Sequence, residues 1–246
     1  MKKYIIFPIL VLALSTLACS INIGGVNLRS VKGSGEVVTE ERSVSGFSEL
    51  ILSGIGKMII ELGDEEALTV EAEDNFMEYI ETDVRGSTLE IGIREGVSLQ
   101  PTEGVTFYLT VTELDEIVVS GLGDVQMPEL ETNRFHVVIS GGGNVDIERL
   151  DAGDLDVEIS GLGDLTIEDG QVDEQDIIIS GGGNYNAEDL QSELVRVNIS
   201  GLGSATVWAE DLLDVNISGG GDVEYRGNPS VDQSVSGLGN IKKIEE

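Results

Sequence analysis

The chain has 246 residues, with 46 Asp and Glu against 14 Lys and Arg, for a formal net charge of −32. Such acidity repels nucleic-acid phosphates and anionic lipid headgroups, so nucleic acid is excluded as a partner. A single cysteine excludes a disulfide framework, and aromatic residues at 4 % leave few platforms for stacking on sugar rings. Met1-Lys2-Lys3 opens the chain as a short positive leader, followed by an apolar run from Tyr4 to Leu14 and then Ser15-Thr16-Leu17-Ala18-Cys19. This is a bacterial-type export signal, too short to span a bilayer.

The lone cysteine closes that signal behind a small alanine, which resembles a lipoprotein signal over residues 1–19. In such a signal Cys19 is lipidated and becomes the mature N-terminus, so the expected partner on this side is the membrane, met through a lipid anchor. Removal of Lys2 and Lys3 with the leader takes the net charge from −32 to −34. Residues 20–35 read as a tether, and residues 36–246 as one domain, long enough for a single continuous core.

Ser53-Gly54-Ile55-Gly56 anticipates a corner that dominates the second half. Between it and Ser120, strand-like runs cover Ala67–Glu73, Leu89–Ile93 and Val105–Val111, with a helical turn or strand edge at Asn75–Ile80. This stretch reads as coils lacking the corner signature, with an excursion near residues 75–104, because terminal repeats must hide the open end of a core.

From Ser120 onward, Ser-Gly-(Leu or Gly)-Gly occurs seven times, at Ser120, Ser140, Ser160, Ser180, Ser200, Ser218 and Ser236. The steps are 20, 20, 20, 20, 18 and 18 residues, the mark of one supersecondary unit stacked along an axis. Each corner is approached by apolar residues at alternate positions, such as Val137 and Ile139 or Val157 and Ile159, with polar residues between them, the pattern of a half-buried strand. One copy thus reads as strand, corner, strand, and a polar linker such as Glu168-Asp169-Gly170. Like-on-like columns favour a parallel β-helix over an antiparallel meander. The middle corner residue alternates Leu122, Gly142, Leu162, Gly182, Leu202, Gly220, Leu238. Either large and small residues interdigitate between coils, or one coil spans two copies.

Candidate chemistry is sparse. His136, the only histidine, lies on the outward side of a strand with no nucleophile or triad spacing around it. Arg134, Arg149 and Arg196 stand isolated, unlike the basic groove of polysaccharide-cleaving β-helix enzymes. No catalytic residue, cofactor or metal site is assigned. The residues after the corners (Asp124, Asn144, Asp164, Asn184, Ser204, Asp222, Asn240) would stack as a ladder of side-chain oxygens. That ladder suits turn-forming and stacked hydrogen bonds, or else calcium. The corner serines read as hydroxyls that satisfy turn amides. Trp208 reads as an exposed contact, or as a core or corner filler.

The Ser-Gly-x-Gly-(Asp/Asn) corners, together with Ser53-Gly54-Ile55-Gly56, Val70-Glu71-Ala72-Glu73-Asp74-Asn75, Leu89-Glu90-Ile91 and Tyr225-Arg226-Gly227-Asn228-Pro229, resemble the putative auto-transporter adhesin, head GIN domain family. The resemblance covers roughly residues 36–243. It implies a right-handed β-helix-like fold in bacterial surface or periplasmic proteins, and brings no catalytic residues with it. The expectation is an all-β, lipid-anchored cell-envelope protein that is not an enzyme and binds a surface ligand, glycan or protein. The alternatives are a polysaccharide-active enzyme and a calcium-stabilised surface protein.

Overall fold

The computed structural model describes residues 29–244, so the leader and Cys19 lie outside the described residues. The chain enters with β1 (Arg29–Lys32) and β2 (Val37–Arg42), followed by β3 (Glu49–Leu52) and β4 (Lys57–Leu62) on either side of the first Ser-Gly-x-Gly corner. β5 (Ala67–Glu73), a single 3-10 turn at Asp74–Phe76, β6 (Ile80–Arg85), β7 (Thr88–Ile93), β8 (Val97–Gln100) and β9 (Thr106–Val111) come next. β10 (Glu116–Val119) leads into five long strands: β11 (Asp124–Ile139), β12 (Val145–Ile159), β13 (Leu165–Ile179), β14 (Tyr185–Ile199) and β15 (Ala205–Ile217). β16 (Val223–Arg226), β17 (Ser230–Val235) and β18 (Ile241–Lys243) close the structure.

The long strands stack in parallel, each residue beside its equivalent 20 positions on, as in Val125 with Val145 and Val145 with Leu165. One sequence repeat is therefore one coil of a β-solenoid, which decides between the two explanations of the Leu/Gly alternation. The expected polar linker is not a separate segment. Arg149 pairs with Asp169 and Leu150 with Gly170 inside one continuous ladder, and the coil bends where two successive residues, such as Glu168 and Asp169, face solvent. At this bend Gly170 takes φ +135°, and a Cβ there would fall 1.9 Å from the Leu150 carbonyl oxygen. The change from 20 to 18 residues is a register shift between β14 and β15, at Ala187/Gln191 and Ser192/Leu194.

Apolar columns fill the interior. Leu50, Ile117, Val137, Val157, Ile177, Val197 and Val215 are buried on one strand, and Leu52, Val119, Ile139, Ile159, Ile179, Ile199 and Ile217 two residues on. Aliphatic columns at strand spacing bury their surface only through neighbouring coils, so stability is a sum of stacking contacts.

The N-terminal end departs from the coil-by-coil expectation. β3 and β4 form a coil that lies directly under β10 and the start of β11, with Leu50 beside Ile117 and Met58 beside Val125. Yet the intervening chain passes to the far side of that coil. There β7 pairs with β3 and β9 with β4, both in parallel. The outermost layer is antiparallel: β6 on β7, β5 on β9, and β2 on β5. This layer, with Phe76 fully buried, closes the core at that end.

Arg29–Lys32, within the stretch read as tether, pairs with Val97–Gln100. Arg29 and Arg94 both lie over the Tyr79 ring, 5.5 and 5.4 Å from its centre. Glu73 is fully buried and holds the cap together, accepting the Gly35 N–H at 2.7 Å, the Thr102 N–H at 3.0 Å and the Thr102 hydroxyl. Burial alone would raise its carboxyl, but the Thr102 and Gly35 donors win and hold it below the usual carboxylate range.

Candidate functional site

Each corner stacks by backbone. Ser140 N–H donates to Val119 O at 3.0 Å and Gly142 N–H to Gly121 O at 2.9 Å, and the same bonds recur in the following coils. Among the described residues, the hydroxyls of the corner serines from Ser120 to Ser236 take no turn amide, contrary to expectation, because the preceding coil's carbonyls already accept those amides. The ladder residues do bond from coil to coil. Asp124 Oδ1 accepts the Asn144 N–H at 2.9 Å and its side-chain amide at 3.1 Å. Asn144 Oδ1 accepts the Asp164 N–H at 2.9 Å, and Asn184 Oδ1 the Ser204 N–H at 3.0 Å. From Asp124 to Asn184 carboxylate alternates with amide, so the charged neighbours there lie two coils apart. One oxygen of each ladder residue from Asp124 to Asp222 is thus engaged by a protein donor. Among the described residues no group of three or more acids, His or Cys is placed to hold a metal ion.

The middle of the corner faces outward. Leu122, Leu162, Leu202 and Leu238 are 69, 77, 78 and 92 % exposed, against buried leucines throughout the coils. Sequence reading registered their alternation and not their exposure.

A flat sheet face runs from the far bend to the corner. Its central outward column is Glu49, Glu116, His136, Asp156, Asp176, Arg196, Asp214 and Asp232, each beside the next in register. Acids come in adjacent pairs, separated by His136 and then by Arg196. His136 Nδ1 lies 3.3 Å from Glu116 Oε2. The arginines read as isolated are each paired: Arg134 with Asp154 and Asp156, Arg149 with Asp151 and Asp169, and Arg196 with Glu174. Asp176 has a buried oxygen with no partner, and burial together with the neighbouring Asp156 pushes its carboxyl up. Round the ladder, burial and then Asp124 do the same to Asp146. The column was open to sequence reading, because its members from Glu116 to Arg196 stand 20 residues apart.

Around His136 a shallow hollow of about 480 Å³ is lined by Glu49, Asp115, Glu116, Thr132, Asn133, Arg134 and Asp156. Its acids are already engaged, Glu49 by Ser87 and Thr88 and Asp156 by Arg134. Trp208 is half-buried at the far bend, donating its Nε1–H to Glu210 at 2.6 Å beside Gly227, and so fills a corner. Tyr185 is core: its hydroxyl donates to Gln175 Oε1 at 2.6 Å, and the Gln175 amide donates to Ser192 in a buried chain.

The family described as putative auto-transporter adhesin, head GIN domain, matches residues 46–229. The chain belongs to that family. Solved structures place this head GIN domain among bacterial neighbours. A putative adhesin from Bacteroides fragilis is 26 % identical, with a TM-score of 0.82, over 87 % of this chain and all of that one. A protein from Parabacteroides distasonis described as a putative lipid binding protein is 25 % identical, with a TM-score of 0.72, over 88 % of this chain and all of that one. A putative adhesin from Parabacteroides merdae, 21 % identical with a TM-score of 0.68 over 88 % of this chain and 99 % of that one, shares the fold. No curated protein matches the chain. Family membership makes a surface or exported protein the coarse reading, and no helix among the described residues is long and apolar enough to cross a membrane.

Proposed function

We propose that this head GIN domain is a non-enzymatic adhesion module of the cell envelope, held at the membrane by a lipid on Cys19. It retains an extracellular ligand, glycan or protein, on its flat sheet face. The observation behind this reading is the in-register column from Glu49 to Asp232. Coil stacking fixes its side chains at about 4.8 Å intervals, so the ligand meets a rigid, ordered row of acceptors and loses little to reorganisation of the protein. On this face Asp156 is tied to Arg134, Glu174 to Arg196 and Glu49 to Ser87, while Asp214 and Asp232 present carboxylates to a ligand's donors.

A glycan and host-matrix array probed with the full chain, scored for both retention and cleavage, tests the proposal. Retention without turnover that weakens in Asp156→Asn/Asp214→Asn supports it. Cleavage of any glycan overturns the non-enzymatic reading, and retention indifferent to both substitutions moves the site off this face.

A further inference from the structure

The fold requires the flanking glycines of each corner and leaves the middle position free. A Cβ at Gly141, Gly161, Gly181 or Gly201 would fall within 1.9–2.1 Å of a carbonyl oxygen in the preceding coil. A Cβ at Gly142, Gly182 or Gly220 would meet only the Cδ2 of Leu122, Leu162 or Leu202, at 3.1 Å, the free end of an exposed side chain. Four leucines nevertheless occupy this position, contributing little to the core and standing 69 to 92 % exposed.

They form one edge of the solenoid, two coils or about 9.6 Å apart and about 29 Å from first to last at strand spacing. In a chain with 46 acids, this strip of Ser, Gly and Leu carries no charge. Its amides also need no water: the N–H groups of Leu122, Leu162, Leu202 and Leu238 all donate at 2.9 Å to carbonyls of other coils, so an apolar medium can cover them without stranding a donor.

We infer that this leucine edge is a membrane contact that seats the solenoid lengthwise on a zwitterionic bilayer. The inference rests on the lipid-anchored reading above. A second copy of the chain fits the edge poorly. Four leucine side chains cannot supply the roughly 800 Å² per partner of a stable interface, and two chains of net charge −32 repel. A bilayer has no such area requirement. Arg29 lies ten residue steps after Cys19, a span of at most about 36 Å, so an anchored domain stays within reach of the surface at high effective concentration. A single acyl chain holds a protein only reversibly, and a second contact makes the attachment stable. Asp124 and Asp164 stand two residues beyond Leu122 and Leu162, so anionic lipid would be repelled.

Flotation of the full chain with phosphatidylcholine/phosphatidylethanolamine vesicles tests this, using Cys19→Ser to remove the anchor and Leu122→Ser/Leu162→Ser/Leu202→Ser/Leu238→Ser to remove the edge. In the Cys19→Ser background, weak binding that does not fall with added salt is expected, with at least a ~10-fold lower partition when the leucines are also replaced. Leu162→Trp should be quenched by brominated lipid, and a tryptophan at exposed Glu193 (Glu193→Trp), away from the corner, should not. Equal partition with and without the leucines, or an unquenched Leu162→Trp, overturns the inference. So does a sedimentation shift showing that the leucines hold a dimer. If Cys19→Ser leaves membrane association unchanged while the leucine variant lowers it, the anchor falls and the edge stands. A silent glycan array alongside positive flotation removes the adhesion reading alone.

Discussion

At the scale of single residues, the corner separates two kinds of glycine that look alike in the sequence. Gly161 sits where a Cβ would lie 1.9 Å from the Gly141 oxygen, whereas at Gly182 it would meet only a movable leucine methyl. Thermal melts should therefore show Gly161→Ala destabilising by about 3 kcal/mol through overpacking against backbone, and Gly182→Ala staying within about 0.5 kcal/mol of the parent. Glu73 gives a residue-level prediction in pH. Its carboxyl is held below the unfolded value of about 4.3, so its stabilising effect is complete above that value and is lost as pH falls through the lower folded one. Glu73→Gln should melt below the parent at pH 7, and the two curves should converge as the pH is taken well below about 4. A gap that stays constant on acidification would remove the charge of Glu73 from the account.

At the scale of the element, a coil tolerates a polar interior only when each group is matched. Gln175 stacks on Leu155 and Tyr185 on Leu165, so one coil has exchanged apolar neighbours for a hydrogen-bonded chain ending at Ser192. Tyr185→Phe leaves the Gln175 oxygen buried without its donor and should cost about 1–3 kcal/mol in chemical denaturation. The triple change Tyr185→Phe/Gln175→Leu/Ser192→Ala, which returns the coil to the apolar pattern of its neighbour, should recover most of that loss. The coils were legible in the sequence because Val137, Val157 and Ile177 repeat both the strand alternation and the 20-residue step. The polar chain was not, since nothing local in Gln175 or Tyr185 tells which way a residue faces near a bend. The cap was hidden for a different reason. The alternation in Leu89–Ile93 or Ala67–Glu73 is the same whether the partner strand runs parallel or antiparallel, and the return of β7 and β9 beyond β3 and β4 is a long-range choice. The sheet-face column keeps the same 20-residue step from Glu116 to Arg196 and was as open to reading as the core. The outward turn of Leu122 depends on corner geometry that strand periodicity does not describe.

For the whole molecule, the register has a consequence for how such a chain can change length. Outside the chain of Gln175, Tyr185 and Ser192, the interior columns return after one coil, so the core alone would accept the loss of a repeat such as residues 140–159. The corner obeys a stricter rule, for its large and small residues, and its charged and amide residues, return together only across two coils along Asp124, Asn144, Asp164 and Asn184. Deleting residues 140–159 would set Leu122 against Leu162 and Asp124 against Asp164, with a carboxylate facing a carboxylate. Deleting residues 120–159 would set Asp164 beside Lys57, where Asp124 sits now, and would leave the chain of Gln175, Tyr185 and Ser192 intact. The two-coil deletion should keep the melting cooperative, and the one-coil deletion, though it removes less, should melt lower and recover with added salt as repulsion is screened. Equal melts would mean that the corner has no say in length. The interior of this solenoid counts in ones and its edge in twos. Parity, more than core packing, thus sets the step by which the array can grow or shrink.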